Sequence, residues 1–365
     1  MPRLCGGPAK ITAMRSLLLA GCLCLGLTGC TTAGYYWQLA RGQMQLLSSR
    51  EPIAGIVGDS NRDPKLRGRL SQLQQARRFA SEYLHLPDNG SYTLYADLKR
   101  DYVVWNVFAT PEFSLAAVES CFPIAGCLAY RGYFSRAGAE AQAAKLKSKG
   151  YEVEVGGVPA YSTLGWFDDP VINTMMRWSD AHLIGTLFHE LAHQRLYVKN
   201  DTAFNESFAS FVEEQGRRDY LALNEVPGID ESAELRREQR NHQFVELILA
   251  TREQLQALYA QPLEADAMRQ AKQAVFDDLR ARYRVLRDET WGGYAGYDDW
   301  FSEPLNNARL LPFGLYDQWV PAFAALWREQ NRDWAAFYEA AARLGALSPN
   351  ERQARLEALA AESAT

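Results

Sequence analysis

A helix-rich α+β fold is predicted for this 365-residue chain, and three observations predict it. Runs of β-branched and aromatic residues at strand length are confined to the first half, whereas helical spacing dominates from Asp180 to the C-terminus. No low-complexity linker or internal repeat interrupts the chain, so a single domain follows. Hydrophobic residues make up 47% and aromatic residues 12%, enough for a substantial core and too much for a disordered or collagen-like chain. The net charge of −5 speaks against nucleic acid as a partner, because its binders present a basic field.

Residues 1–29 stand apart from that domain. They contain Arg3, Lys10 and Arg15, no acid, and an apolar run from Leu17 to Leu27 that is too short to span a bilayer. Met14 offers an alternative start that would leave residues 1–13 untranslated. The run ends in Leu27-Thr28-Gly29-Cys30, which resembles the lipobox of bacterial lipoproteins; an ordinary secretory signal is the alternative. The resemblance implies cleavage before Cys30 and acylation of its thiol. With Thr31 rather than Asp at the next position, it implies sorting to the outer membrane, facing the periplasm. Cleavage removes three bases and no acid and takes the net charge from −5 to near −8. Attachment to the membrane then rests on the acyl chains rather than on anionic lipid.

Residues 63–86 place Leu66, Leu70, Leu73, Phe79 and Leu84 near helical spacing and predict a packing helix. Strands are expected at Ser91 to Tyr95 and Tyr102 to Phe108. Cys121 and Cys127, five residues between them, read as a small-loop disulfide in an oxidising compartment, with a metal clip as the weaker alternative. Ser135 can cap a helix running to about Lys149 with Gly150 ending it, and Tyr151 to Val155 alternates as a half-buried strand does. Ala160 to Trp166 is a further strand candidate.

Asp180 is the expected cap of a helix over 181–198, and Asp201 or Thr202 of a second over 203–223. A helical hairpin broken near Pro262, an insertion in the domain, is expected at about 230–288, and its charged run Glu231 to Arg240 reads as a solvated face. Residues 291–299 read as a flexible aromatic loop, and three more helices are expected within 314–361.

The chemistry concentrates in His189-Glu190-Leu191-Ala192-His193, an HExxH pattern on a predicted helix. Two histidines four residues apart share a helical face and can hold one Zn2+. Glu190 beside them can take a proton from the attacking water and pass it to the leaving amine. A catalytic zinc needs a third protein ligand and an open fourth position, and Glu206 on the next helix, with twelve residues between it and His193, can face the pair. His182 lies two turns before His189, about 10 Å along the axis and too far to share the ion. His85 and His242 read as structural or surface residues.

His189 to Gln194 followed by Phe204-Asn205-Glu206-Ser207-Phe208-Ala209 is similar to the gluzincin metallopeptidases, in which a Glu on the following helix completes the HExxH site. With Ala160 to Phe167, Asn306-Asn307-Ala308 and Tyr316-Asp317 added, most of the chain resembles the predicted zinc-aminopeptidase family of bacterial lipoproteins. The resemblance implies a gluzincin-like domain over residues 30–365. Its small β-sheet would pack on a zincin-type two-helix metal site, with His189, His193 and Glu206 as ligands and Glu190 as base. Well-studied gluzincin aminopeptidases also carry a Gly-Ala-Met-Glu-Asn-type strand that holds the substrate amine, and a third ligand further along the chain. Neither is present here, so the residues support peptide hydrolysis more firmly than removal of a single N-terminal residue. Tyr161, Ser162 and Thr163 occupy the matching place and could pair with an extended peptide, and Asp168 or Asp169 could hold its amine. Tyr316 and Tyr161 are candidate donors to the oxyanion, and Asn205 a candidate to steady the ligands.

The sequence thus predicts a lipid-anchored periplasmic zinc peptidase acting on peptides or proteins. The alternative is a peptide-binding or envelope-assembly lipoprotein whose zinc is structural; an intact Glu190 beside the ligands favours the first.

Overall fold

A computed structural model describes residues 33–122, 126–160, 162–163, 165–224, 226, 229–313 and 318–363. Cys30, Tyr161 and Tyr316 lie outside the described residues. The chain divides into two units, Met1–Ser49 and Arg50–Thr365. In the first, residues 33–48 form helix α1. Among the described residues no helix is long and apolar enough to cross a membrane.

The second unit opens with strand β1 (Arg50–Pro52) and helices α2 (Ile53–Gly58) and α3 (Pro64–Glu82). Asp63 caps α3 by accepting from Leu66 N, and Pro64 sits in the first turn, where its missing N–H costs nothing. Where one sheet was expected there are three small ones. β1 pairs antiparallel with β2 (Leu94–Ala96), which pairs parallel with β8 (Val171–Ile172). β3 (Val104–Thr110) lies between β6 (Tyr130–Tyr133) and β7 (Glu152–Val158), antiparallel to both. β4 (Ser120–Phe122) and β5 (Gly126–Leu128) form a separate hairpin that places Cys121 opposite Cys127, and the two are joined as a disulfide. Ser135 caps α4 (Arg136–Lys147), and Gly150 follows at φ +85°, the left-handed value glycine adopts freely.

Among the described residues of Ala160 to Trp166, a strand candidate, none lies in a strand. Gly165 reverses the chain at φ +81°, and Thr163 N donates to the Asp169 carboxylate instead of to a neighbouring strand.

α5 (Asp180–Arg195) and α6 (Thr202–Leu223) form the centre of the unit. Ser179, not Asp180, caps α5, accepting from His182 N at 3.2 Å. Asp180 becomes the first helical residue and receives Arg69 Nε of α3 at 2.6 Å, while Arg69 also holds the Trp178 carbonyl at 2.7 Å. Asp201 caps α6 and takes Arg352 Nε at 2.7 Å, and Arg352 bonds the carbonyls of Gly345 and Leu347 at 2.9 Å. Leu183, Leu187, Phe188 and Leu191 of α5 and Phe204, Phe208, Phe211 and Val212 of α6 are buried. Behind α6 lie α10 (Val320–Glu329), α11 (Trp334–Gly345) and α12 (Pro349–Ser363), the three C-terminal helices expected. Phe204 meets Phe323 edge-on at 5.2 Å and Phe208 stacks on Phe337 at 5.9 Å.

The helical hairpin is α7 (Glu231–Tyr259) and α8 (Ala265–Val285), with the break at Pro262. Part of its charged run is not solvated: Glu234 and Glu238 pair with Arg217 of α6, which is 4% exposed. Nor is the aromatic loop after it a free one. Trp291 is buried with Phe244, Tyr283 and Phe301, and the short helix α9 (Asp298–Ser302) begins within it. Asn307 fastens this region to β7. Its N–H donates to Glu152, its amide nitrogen to the Glu112 and Ser114 carbonyls at 3.0 Å, and its amide oxygen accepts Tyr259 OH at 2.8 Å.

Candidate metal centre

The HExxH residues lie in the second half of α5 because an apolar face, Leu183 to Leu191, anchors that helix against its neighbours. A capped start on α6 then aims Glu206 back at them. His189 Nε2 and His193 Nε2 are 3.1 Å apart, and Glu206 Oε2 is 3.4 Å from the first and 3.5 Å from the second. Ligand atoms bonded at ~2.0–2.2 Å to a tetrahedral ion stand about 3.3–3.6 Å from one another. The triangle is close to the size that one tetrahedral ion would need, and two imidazoles and a carboxylate could hold such an ion with its fourth position open.

Within the cluster the acids and imidazoles balance one another's charge. Burial works against ionisation of Glu206, yet His189 and His193 hold its carboxyl down at about 2, so it stays an anion. Burial likewise opposes a charged His189, but Glu206 and Glu213 override it and hold the imidazole well above its ordinary range. Glu190 behaves differently: burial raises its carboxyl above the usual glutamate range, opposed by the two histidines and aided by Glu206 and Glu213. A carboxylate so raised is a better proton acceptor near neutrality.

Glu213 was not singled out in the sequence. Its Oε2 lies 3.2 Å from His189 Nδ1, and its Oε1 lies 3.9 Å from His182 Nδ1. The signal was available: His182 and His189 are seven apart, as are Glu206 and Glu213, so two helices packed face to face pair them. Gly185 permits the approach, since a β-carbon there would stand 3.0 Å from the Glu213 side chain. His182 packs edge-on against Trp178 with ring centres 4.6 Å apart, away from the ligand triangle.

Asn205 does not touch the ligands. It is 1% exposed and clamps Val198 from both sides, accepting from its N–H at 2.7 Å and donating to its carbonyl at 2.8 Å, which fixes the turn between the helices. Ser162 and Thr163 turn towards Asp169, whose carboxylate receives Thr163 N at 2.8 Å, Thr163 Oγ1 at 2.9 Å and Ser162 Oγ at 3.3 Å. Asp169 is thereby occupied as a brace, whereas Asp168 remains exposed. Two phenols unforeseen in the sequence feel the site's acids: buried Tyr92, raised by burial and then by Glu190 and Asp169, and half-exposed Tyr197, raised by burial and by Glu206. The fold brings Tyr92 in from another segment, whereas Tyr197 follows α5 four residues after His193. His85 and His242 lie off the cluster, the latter 3.4 Å from Glu246 on its own helix.

A family model described as "Putative aminopeptidase" matches residues 34–356. Comparison with curated proteins and with solved structures gives no match.

Proposed function

Because the match covers most of its length, the chain belongs to the family described as "Putative aminopeptidase", and from that membership we propose a zinc-dependent peptidase centred on His189, His193 and Glu206. The observation that carries this reading is the ligand triangle of 3.1, 3.4 and 3.5 Å with Glu190 adjacent to it in the same helix. A zinc ion held by the three residues would supply a Lewis acid to polarise the scissile carbonyl and lower the pKa of water. Glu190 accepts a proton from that water and delivers it to the departing amine, a role its burial suits. Glu213 fixes the His189 ring through Nδ1, and Asn205 holds the turn from which α6 returns.

The lipobox-like Leu27 to Cys30 supports a lipid anchor at Cys30, and the Cys121–Cys127 disulfide suits an oxidising periplasm. The protein we propose is thus held at the outer membrane and cuts peptides or proteins in the envelope. Peptide libraries with free and with blocked N-termini, incubated with the chain from residue 31 and zinc, test it. Cleavage of free termini alone makes it an aminopeptidase and cleavage of both an endopeptidase. No cleavage across a broad library refutes hydrolysis.

A further inference from the structure

The turn between β7 and β8 is fixed at several points. Besides the bonds to Asp169, the Thr163 carbonyl accepts Trp166 N at 3.2 Å and the Thr163 hydroxyl accepts Phe167 N at 3.1 Å. Asp169 is 1% exposed, and its own N–H and carbonyl are tied to Ser91 Oγ at 3.4 Å and Tyr92 N at 2.6 Å. These bonds restrain the described residues of the turn. The rings it carries are nevertheless left in water, with Trp166 71% and Phe167 47% exposed. No large hydrophobic side chain among the described residues is more exposed than Trp166.

The turn also lies beside the chemistry. A β-carbon at Gly165 would stand 3.6 Å from Gln194, and Gln194 is one helical turn after Glu190 on the same face of α5. Gln194 is gripped from its other side, accepting Asn89 Nδ2 at 2.8 Å and donating to Ser91 Oγ at 3.3 Å. Since Thr163 N is committed to Asp169, a peptide passing here cannot use it for strand pairing, and recognition falls to side chains. Rigid aromatic rings suit that task, because they offer large apolar area and lose little rotamer freedom on contact.

We propose that Trp166 and Phe167 form a subsite for a bulky apolar side chain of a peptide bound alongside Glu190, so that this chain selects peptides carrying such a residue near the cleaved bond. The proposal rests on the peptidase reading above, and the two are separated by measuring binding as well as cleavage.

Glu190→Gln protein, loaded with zinc, is titrated with fluorescent peptides of one scaffold that differ at a single position, Leu, Phe, Ala or Ser. The Leu and Phe peptides should bind about tenfold or more tightly than the Ala peptide, the discrimination apolar pockets give. Trp166→Ala combined with Phe167→Ala should bring all four within roughly twofold while the Ala peptide keeps its affinity. Trp166→Phe should retain the preference. With Glu190 intact, kcat/KM should follow the same ratios. A preference that survives the double substitution overturns the subsite, and so does equal binding of all four peptides to the parent. Weakened binding to phosphatidylethanolamine–phosphatidylglycerol vesicles with peptide preference unchanged overturns it in favour of a bilayer contact. If no peptide is cut but the binding preference is present and lost as described, hydrolysis falls and the subsite stands.

Discussion

Glu213 Oε2 lies 3.2 Å from Nδ1 of His189, while Glu206 Oε2 lies 3.4 Å from Nε2 of the same ring. A carboxylate beside Nδ1 favours, among the neutral tautomers, the one protonated there, whose Nε2 lone pair is the one a metal takes up. Glu213→Ala should therefore weaken zinc affinity about 10- to 100-fold, measured by competition with a chromophoric chelator. Unchanged affinity would mean that the ring is held by packing alone.

Asn205 makes a different kind of contribution, to stability rather than to the metal. Asn205→Ala leaves the half-buried N–H of Val198 without its partner, at a cost of roughly 1–3 kcal/mol, while the Val198 carbonyl keeps the Asp201 N–H at 3.3 Å. Thermal or urea unfolding should show a loss of about 1–3 kcal/mol, and the folded variant should still bind zinc. A loss below about 0.5 kcal/mol would show that water replaces the clamp.

Asp169 gives stability a definite pH dependence. Burial pushes its carboxyl up to about 6, the bonds from Thr163 and Ser162 opposing and Glu190 adding. An unfolded aspartic acid ionises at about 3.9, so in this window the folded chain keeps a proton the unfolded chain has lost. Stability contributed by Asp169 is then complete below about pH 4, falls as pH rises to about 6 and is level above. Relative to Asp169→Asn, the metal-free chain should lose roughly 2–3 kcal/mol between these limits, read from denaturant curves at each pH. A difference independent of pH would contradict the burial of this carboxylate.

The elements that the sequence revealed are those set by local chemistry. Ser135 and Asp201 cap helices because a short polar side chain can reach the free N–H groups of the first turn, and Gly150 ends one at positive φ. His189, His193 and Glu206 were readable because two of them share a helical face and the third follows a turn of fixed length. What escaped depends on distant partners. Ala160 to Trp166 has strand composition, yet Asp169 takes the N–H a strand would use, and the parallel partner of β2 is the two-residue β8 instead. Trp291 looked like a loop aromatic and is buried, because α7, α8 and α9 meet around it. Tyr92 reaches the vicinity of Glu190 through a backbone at φ +64°, a conformation no pattern announces for tyrosine.

The central claim is that His189, His193 and Glu206 hold a zinc ion whose reaction depends on Glu190. It is tested most directly by zinc content and peptide cleavage measured side by side on the parent chain and on Glu190→Gln. About one zinc per chain is expected in both, with kcat lowered roughly 100- to 10,000-fold in Glu190→Gln, the range lost with a general base. Equal cleavage by the two proteins, or no zinc retained by the parent, would contradict it.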